Sequence, residues 1–363
     1  MAMVDDREAM RGRRREPAHG RQVARNGAGR RRQPRGEQPR GRYNKLTPTM
    51  CLRLAAPHTW LGPSVLTTVF GGLYAISCGY AFSPLIWCLL MLVALFAQSS
   101  VNTLNDWADF KKGTDTIENS DDPTDAVLVY DNPNPKHVLV LGIVYMALCI
   151  VIGVGCTIWA GSLVPIIIAA IGMAVIVLYS NGKLPISYLP IGEVVSGVVM
   201  GCLIPIADVC ILASHSLEYL GPFGLFVQID WLRLIFATVP FAIGIGMVMA
   251  TQNNCDIERD RASGRRTLPV VLGHRRSLLL YRVFVVIWIA IALLFSFWFF
   301  KGGMWAAVVV MVFGGNCIRK MFTTPLVPEV RGPSMGNVNR ANLFINGGYI
   351  VAVTFSMLPV VFI

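Results

Sequence analysis

Two short stretches of this chain concentrate oxygen ligands where apolar runs of membrane length come to an end. The first is "NTLNDWADFKKGTDT", residues 102–116, with Asn102, Asn105, Asp106, Asp109 and Asp115. The second is "TQNNCDIERDRASGRRTLPVVLG", residues 251–273, with Asn253, Asp256 and Asp260. In each, an asparagine and two aspartates follow one another at spacings of three or four, and a glycine, Gly113 or Gly264, stands four residues after the last aspartate. Such spacings place each trio on one helical face. Carboxylates that close repel, and the pKa of one partner rises unless a cation sits between them. A single acidic cluster at a helix end is ordinarily solvated surface. Two matched clusters facing one another are a binding device, and hard oxygen donors in that number suit Mg²⁺, which binds through one or two carboxylates plus phosphate oxygens and water. The implied ligand is a diphosphate.

The elements that must position these residues are read from composition. Of the 363 residues, 54% are hydrophobic and 15% charged, the balance of an integral membrane protein. A bilayer core of about 30 Å needs roughly 20 apolar residues per helix. Windows of about that length recur near 60–80, 84–104, 137–157, 160–180, 189–213, 231–252, 277–300, 303–318 and 342–363. The expected fold class is therefore all-α, with about nine transmembrane helices. Lys111, Lys112, Lys136, Lys183, six arginines from Arg259 to Arg276, Arg319, Lys320, Arg331 and Arg340 all fall in alternate loops, with Lys301 opposite. The positive-inside rule puts those loops and the N-terminus in the cytoplasm. Localisation in the cytoplasmic (inner) membrane follows.

Residues 1–50 form a separate region. Its first 45 residues hold thirteen arginines and Lys45 against five acidic residues and few large apolar ones. Disorder is the expectation, and attraction to anionic membrane lipid the expected role. No nucleic-acid partner is expected, because no folded module or aromatic interleaving accompanies the arginines. The nine cysteines lack zinc-ligand spacing and read as small hydrophobes.

"NTLNDWADFKKGTD" and "NNCDIERDRASGRRTLPVVLG" resemble the two aspartate-rich motifs of the UbiA superfamily of intramembrane prenyltransferases. The resemblance runs from about residue 50 to the C-terminus. Within it, "YSNGKLPISYLPIGEVVSG", residues 179–197, is similar to a Tyr-rich segment of the 1,4-dihydroxy-2-naphthoate polyprenyltransferases. Two departures bear on the acceptor rather than on the superfamily. Where that branch tends to have Arg-Pro, this chain has Ala56-Pro57, with Arg53 one turn earlier as the candidate substitute. The loop "TIENSDDPTDAVLVYDNPNPKH" is also more acidic than the family's bacterial pattern.

The resemblance implies a helical bundle with a central cavity open to the cytoplasmic side. It also implies Mg²⁺ held by Asp106, Asp109, Asp256 and Asp260, and a polyprenyl diphosphate donor contacted by Asn102, Asn105, Asn253, Lys183, Arg265 and Arg266. Prenyl transfer goes to an aromatic acceptor. Tyr179, and with less reason Tyr188, offers a π-face to an allylic cation. Glu193 orients or deprotonates the acceptor. Asp208, fifteen residues farther along, lies roughly 22 Å deeper and outside the same site. A transporter is the rival class, but its coupling sites lie near the bilayer midplane on broken helices, not at helix ends.

Overall fold

A computed structural model of the chain describes residues 42–113, 115–117, 126–180 and 185–358. The expectation of disorder covers residues 1–50; residues 1–41 lie outside the described residues, as does Lys183, whereas Pro48–Met50 form the start of a helix capped by Thr47. Sixteen α-helices occur in the order α1 Pro48–Ala55, α2 Thr67–Ser77, α3 Pro84–Lys112, α4 Val127–Tyr130, α5 Pro135–Ala160, α6 Val164–Ser180, α7 Gly192–Val198 and α8 Ile204–Ala213. They continue as α9 Leu225–Gln228, α10 Trp231–Cys255, α11 Ile257–Ala262, α12 Leu268–Leu272, α13 His274–Phe299, α14 Met304–Phe313, α15 Gly315–Thr323 and α16 Arg331–Ser356. A lone bridge, Asn44 with Pro133, is the only β-type pairing among the described residues.

The long helices begin and stop where local chemistry dictates. Ser83 accepts the Ile86 N–H ahead of Pro84, Asn134 accepts that of Lys136 ahead of Pro135, and Asp230 accepts that of Arg233. Gly113 and Gly161 close α3 and α5 at φ 76° and 65°, a region glycine enters without steric cost.

Among the described residues each of the nine apolar windows falls on helix, the last as far as Ser356, but the helices differ in their fitness to span. α3, α5, the α7–α8 run as far as Ser216, α10 and α13 are long and apolar enough to cross a membrane. α14 and α15 do so only as a pair bent by 59°. Leu61–Ser77, a wide π-type turn running into α2, and α6 are shorter. The last helix begins at Arg331 rather than near 342. Hydropathy misses the part before 342 because Arg331, Asn337, Asn339 and Arg340 are polar or charged, although Asn337 is turned into the bundle and buried.

Val140, Ile143, Val151, Ile158, Ile171, Leu279, Phe297 and Trp298 point outward, an apolar collar suited to lipid. The interior packs Phe70, Phe241, Trp288, Phe300 and Tyr349, each nearly or fully buried. The continuous run α7–α8 lies hard against α10. A Cβ on Gly197 would stand 2.4 Å from the Ala242 carbonyl oxygen, and one on Gly201 2.4 Å from the Ala242 nitrogen. These small residues, spaced i and i+4, let two backbones touch, as small-residue motifs do in membrane helices.

Candidate active site

The two glycines that echo one another in sequence perform the same turn. Gly113 and Gly264 sit at φ 76° and 77° and reverse the chain over the last aspartate of each motif. After Gly113, the Asp115 N–H returns to the Asp109 carbonyl oxygen at 3.4 Å, and after Gly264 the Arg265 N–H returns to that of Asp260 at 2.8 Å. The first motif is one continuous helix end. The second is not: α10 stops at Cys255, Asp256 is the joint, and Asp260 lies on the separate α11. The single helical face expected for Asn253, Asp256 and Asp260 is thus a bent one.

Folding back places Arg265 between the motifs. Its Nη2 donates to Asp109 Oδ2 at 2.8 Å, and its Nη1 lies 3.7 Å from Asp260 Oδ1. Thr267 Oγ1 donates to the other oxygen of Asp260 at 2.9 Å. Asp256 Oδ2 accepts from Arg331 Nε, at the start of α16, at 3.2 Å. Arg259 Nη2 reaches across to Asp115 Oδ1 at 2.5 Å. Two cross-links therefore join the end of α3 and the residues just after it to the segment after α10.

Burial sets the electrostatics. Asp109, Asp256 and Asp260 are all buried, Asp260 to within 2% of full enclosure. Desolvation pushes the Asp260 carboxyl up to about 6 despite Arg265 and Thr267, and burial with the Asp109 charge pushes Asp115 up to about 6 despite Arg259. Burial also opposes the charge on Arg265, but the Asp109 and Asp260 carboxylates outweigh it and hold its pKa above the usual value. Four aspartates, Asp109, Asp115, Asp256 and Asp260, share three arginines, Arg259, Arg265 and Arg331, an acidic surplus of the kind a divalent cation can relieve. No three Asp, Glu, His or Cys side chains converge into a closed metal cage among the described residues. An open set of one or two carboxylates is what Mg²⁺ takes when phosphate oxygens and waters complete its shell.

Next to this cluster, Glu193 at the start of α7 is buried. Its Oε1 accepts from Asn253 Nδ2 at 2.8 Å and its buried Oε2 has no partner. Asn253 therefore serves Glu193. On α6, the Tyr179 hydroxyl accepts from Ser196 Oγ at 3.2 Å, fixing the ring at the mouth of α7. The Tyr188 ring is already taken by cations, with Lys112 Nζ at 5.2 Å and Arg265 Cζ at 5.3 Å from its centroid.

Other expected contacts are placed differently. Asn102 donates to Ala55 O and Thr59 Oγ1, both at 3.0 Å, so it ties the α1 segment to α3. Asn105 and Asp106 are half-buried on α3. Arg53 pairs with Asp131 at 2.5 Å, a bond inside the α1–α4 corner. The Arg266 side chain is exposed, and its backbone N–H donates to the Tyr188 carbonyl at 2.9 Å. Asp208 is buried on α8, its carboxylate against Gly71 of α2. Arg331, Arg259 and Thr267 are site residues that the sequence does not single out. Arg259 and Thr267 lie within the second motif, whereas Arg331 lies far along the chain and reads like any inside-positive loop residue.

Residues 64–324 match the model of the UbiA prenyltransferase family. A 1,4-dihydroxy-2-naphthoate octaprenyltransferase of Bacillus subtilis (strain 168) is 32% identical over 234 residues, covering 63% of this chain and 67% of its own length. The UbiA prenyltransferase domain-containing protein 1 of Xenopus tropicalis is 25% identical over 61% of this chain and 59% of its own length. The fold is shared with a UbiA homologue from Aeropyrum pernix K1, at TM-score 0.60 and 14% identity over 79% of this chain and 97% of that one. It is also shared with one from Archaeoglobus fulgidus, at TM-score 0.56 and 14% identity over 84% and 99%. With the family model spanning both aspartate motifs and the helices that carry them, the chain belongs to the UbiA prenyltransferase family.

Proposed function

We propose that this protein transfers a polyprenyl group from an allylic diphosphate to an aromatic acceptor, 1,4-dihydroxy-2-naphthoate, with Mg²⁺ as cofactor. The observation that carries the reading is Arg265, which holds Asp109 and Asp260 from the two motifs on one guanidinium. The name of the Bacillus relative favours the naphthoate acceptor. In this reading nine helices span the cytoplasmic membrane, the aspartate motifs face the cytoplasm, a central cavity opens there, and residues 1–50 form a separate basic tail.

Asp106, Asp109, Asp256 and Asp260 would hold the cation, and Arg265, Arg331 and Lys183 would meet the diphosphate oxygens. When bound, Mg²⁺ supplies Lewis-acid charge to a departing diphosphate. Arginine suits the oxygens because its planar fork donates in pairs. As the C–O bond of the donor breaks, these residues stabilise charge that develops on the leaving group, in a setting where burial strengthens each interaction. Tyr179, fixed by Ser196, presents its ring to the allylic cation. Glu193 accepts the proton released by the acceptor, using the carboxylate oxygen that Asn253 leaves open.

The test uses the full chain in lipid with Mg²⁺, a polyprenyl diphosphate and a panel of aromatic acids. Prenylated naphthoate that disappears with EDTA supports donor, metal and acceptor together. Prenylation of another acid alone overturns the acceptor, and no diphosphate release with any acid overturns the reaction.

A further inference from the structure

At the end of the bundle away from the aspartates, the last turns of α2, α13 and α16 meet the first turn of α10 around a cavity of about 350 Å³. Arg233 and Lys301 line it together with Trp298, Phe299 and Phe300. A neighbouring cavity of about 180 Å³ shares Arg233 and adds Tyr74, Tyr80 and Asp230.

These two cations stand out against their surroundings. Residues 77–84, 160–164, 213–233 and 299–304 form this end, and they contain no other lysine or arginine. Both line the same cavity. The ion pairs found among the described residues involve neither. Asp230, the nearest carboxylate along the chain, is engaged as the α10 cap, its Oδ1 accepting the Arg233 N–H at 3.0 Å. The Arg233 guanidinium lies over the Phe299 ring at 6.0 Å, which holds it toward the cavity wall without neutralising it. Trp298 and Trp305 expose their indoles beside the opening, the arrangement of aromatic residues at a membrane–water interface. Apolar walls and two positive charges that enter no ion pair among the described residues, Arg233 with the Asp230 carboxylate beside it, are complementary to a phosphate that carries hydrocarbon chains.

We propose that this cavity binds the phosphate of an anionic membrane lipid through Arg233 and Lys301, with the acyl chains lying along the exposed apolar surface of α13. The site is distinct from the aspartate cluster. It grips the far ends of α10 and α16, whose opposite ends carry Asn253 and Arg331.

The test places the full chain in nanodiscs with phosphatidylglycerol that bears a photoreactive group near its headgroup, and maps the adducts by peptide mass spectrometry. Adducts are expected on the peptides holding Ser77–Tyr80 and Trp298–Gly302. In the Arg233→Gln, Lys301→Gln double variant they fall by about fivefold for each charge removed. Arg233→Lys, which keeps the charge, retains them, and adducts on the arginine-rich segment around Arg261 stay constant in every variant as the internal reference. The proposal is overturned if labelling at Trp298–Gly302 persists in the double variant or is equalled by a phosphatidylcholine probe. It is likewise overturned if excess inorganic phosphate erases the labelling, which would assign the site to free phosphate.

Discussion

Removing Arg265 leaves Asp109 and Asp260, two buried carboxylates, without the guanidinium that spans them. Breaking a buried charge pair by deleting one partner costs about 3–5 kcal/mol. Arg265→Ala should therefore lower the thermal midpoint of the purified protein clearly, and added Mg²⁺ should restore part of the loss because a cation then takes over the charge. No restoration would count against these carboxylates as its ligands. Asp109→Asn and Asp260→Asn keep size and one acceptor oxygen but remove charge where the leaving group must be stabilised. Each is expected to reduce the turnover number by about 10²–10³ with the helical signal unchanged. Glu193→Gln can still accept from Asn253, so it tests the proton-accepting role alone. Turnover with the aromatic acceptor should drop by roughly 10²-fold or more while donor binding, measured by titration, holds.

Where helices touch by backbone, a single methyl group reports on the architecture. Gly201→Ala puts a Cβ 2.4 Å from the Ala242 nitrogen, and the two backbones must separate. Overpacking of this kind costs about 1–3 kcal/mol. The same displacement parts Glu193 on α7 from Asn253 on α10, so thermal stability and turnover should fall together. Gly172→Ala serves as the contrast, since its Cβ would meet nothing nearer than a Val199 methyl at 4.0 Å. A melt and an activity assay on both variants check the coupling between helix crossing and site. If Gly201→Ala behaves like Gly172→Ala, the crossing does not position the site.

For the whole molecule, the distribution of lysine and arginine sets the two ends of the bundle apart. In a cysteine-free background, a cysteine placed at Arg261 should resist an impermeant thiol reagent added outside intact cells. One placed at Tyr219, exposed at the opposite end, should react. The reverse pattern would invert the orientation and put the aspartate site on the far face.

Much of this was legible in one dimension because it is local physics. Apolar windows must become helices in a bilayer, and a glycine four residues past an aspartate ends one, as Gly113 and Gly264 both do. The aspartate motifs, Arg265 and Glu193 could be picked out from their residue types at helix ends. What the sequence left open was pairing at a distance. Arg331 reaches Asp256 across 75 positions and Arg259 reaches Asp115 across 144, contacts that no spacing rule encodes because they form only when separate helices dock. Docking also diverted Arg53 to Asp131 and Asn253 to Glu193. A buried carboxylate or donor takes the partner that packing brings within reach. Sequence by itself determined the helices and the acidic chemistry at their ends; the tertiary structure decided which charges meet, since burial makes the nearest opposite charge the one that counts.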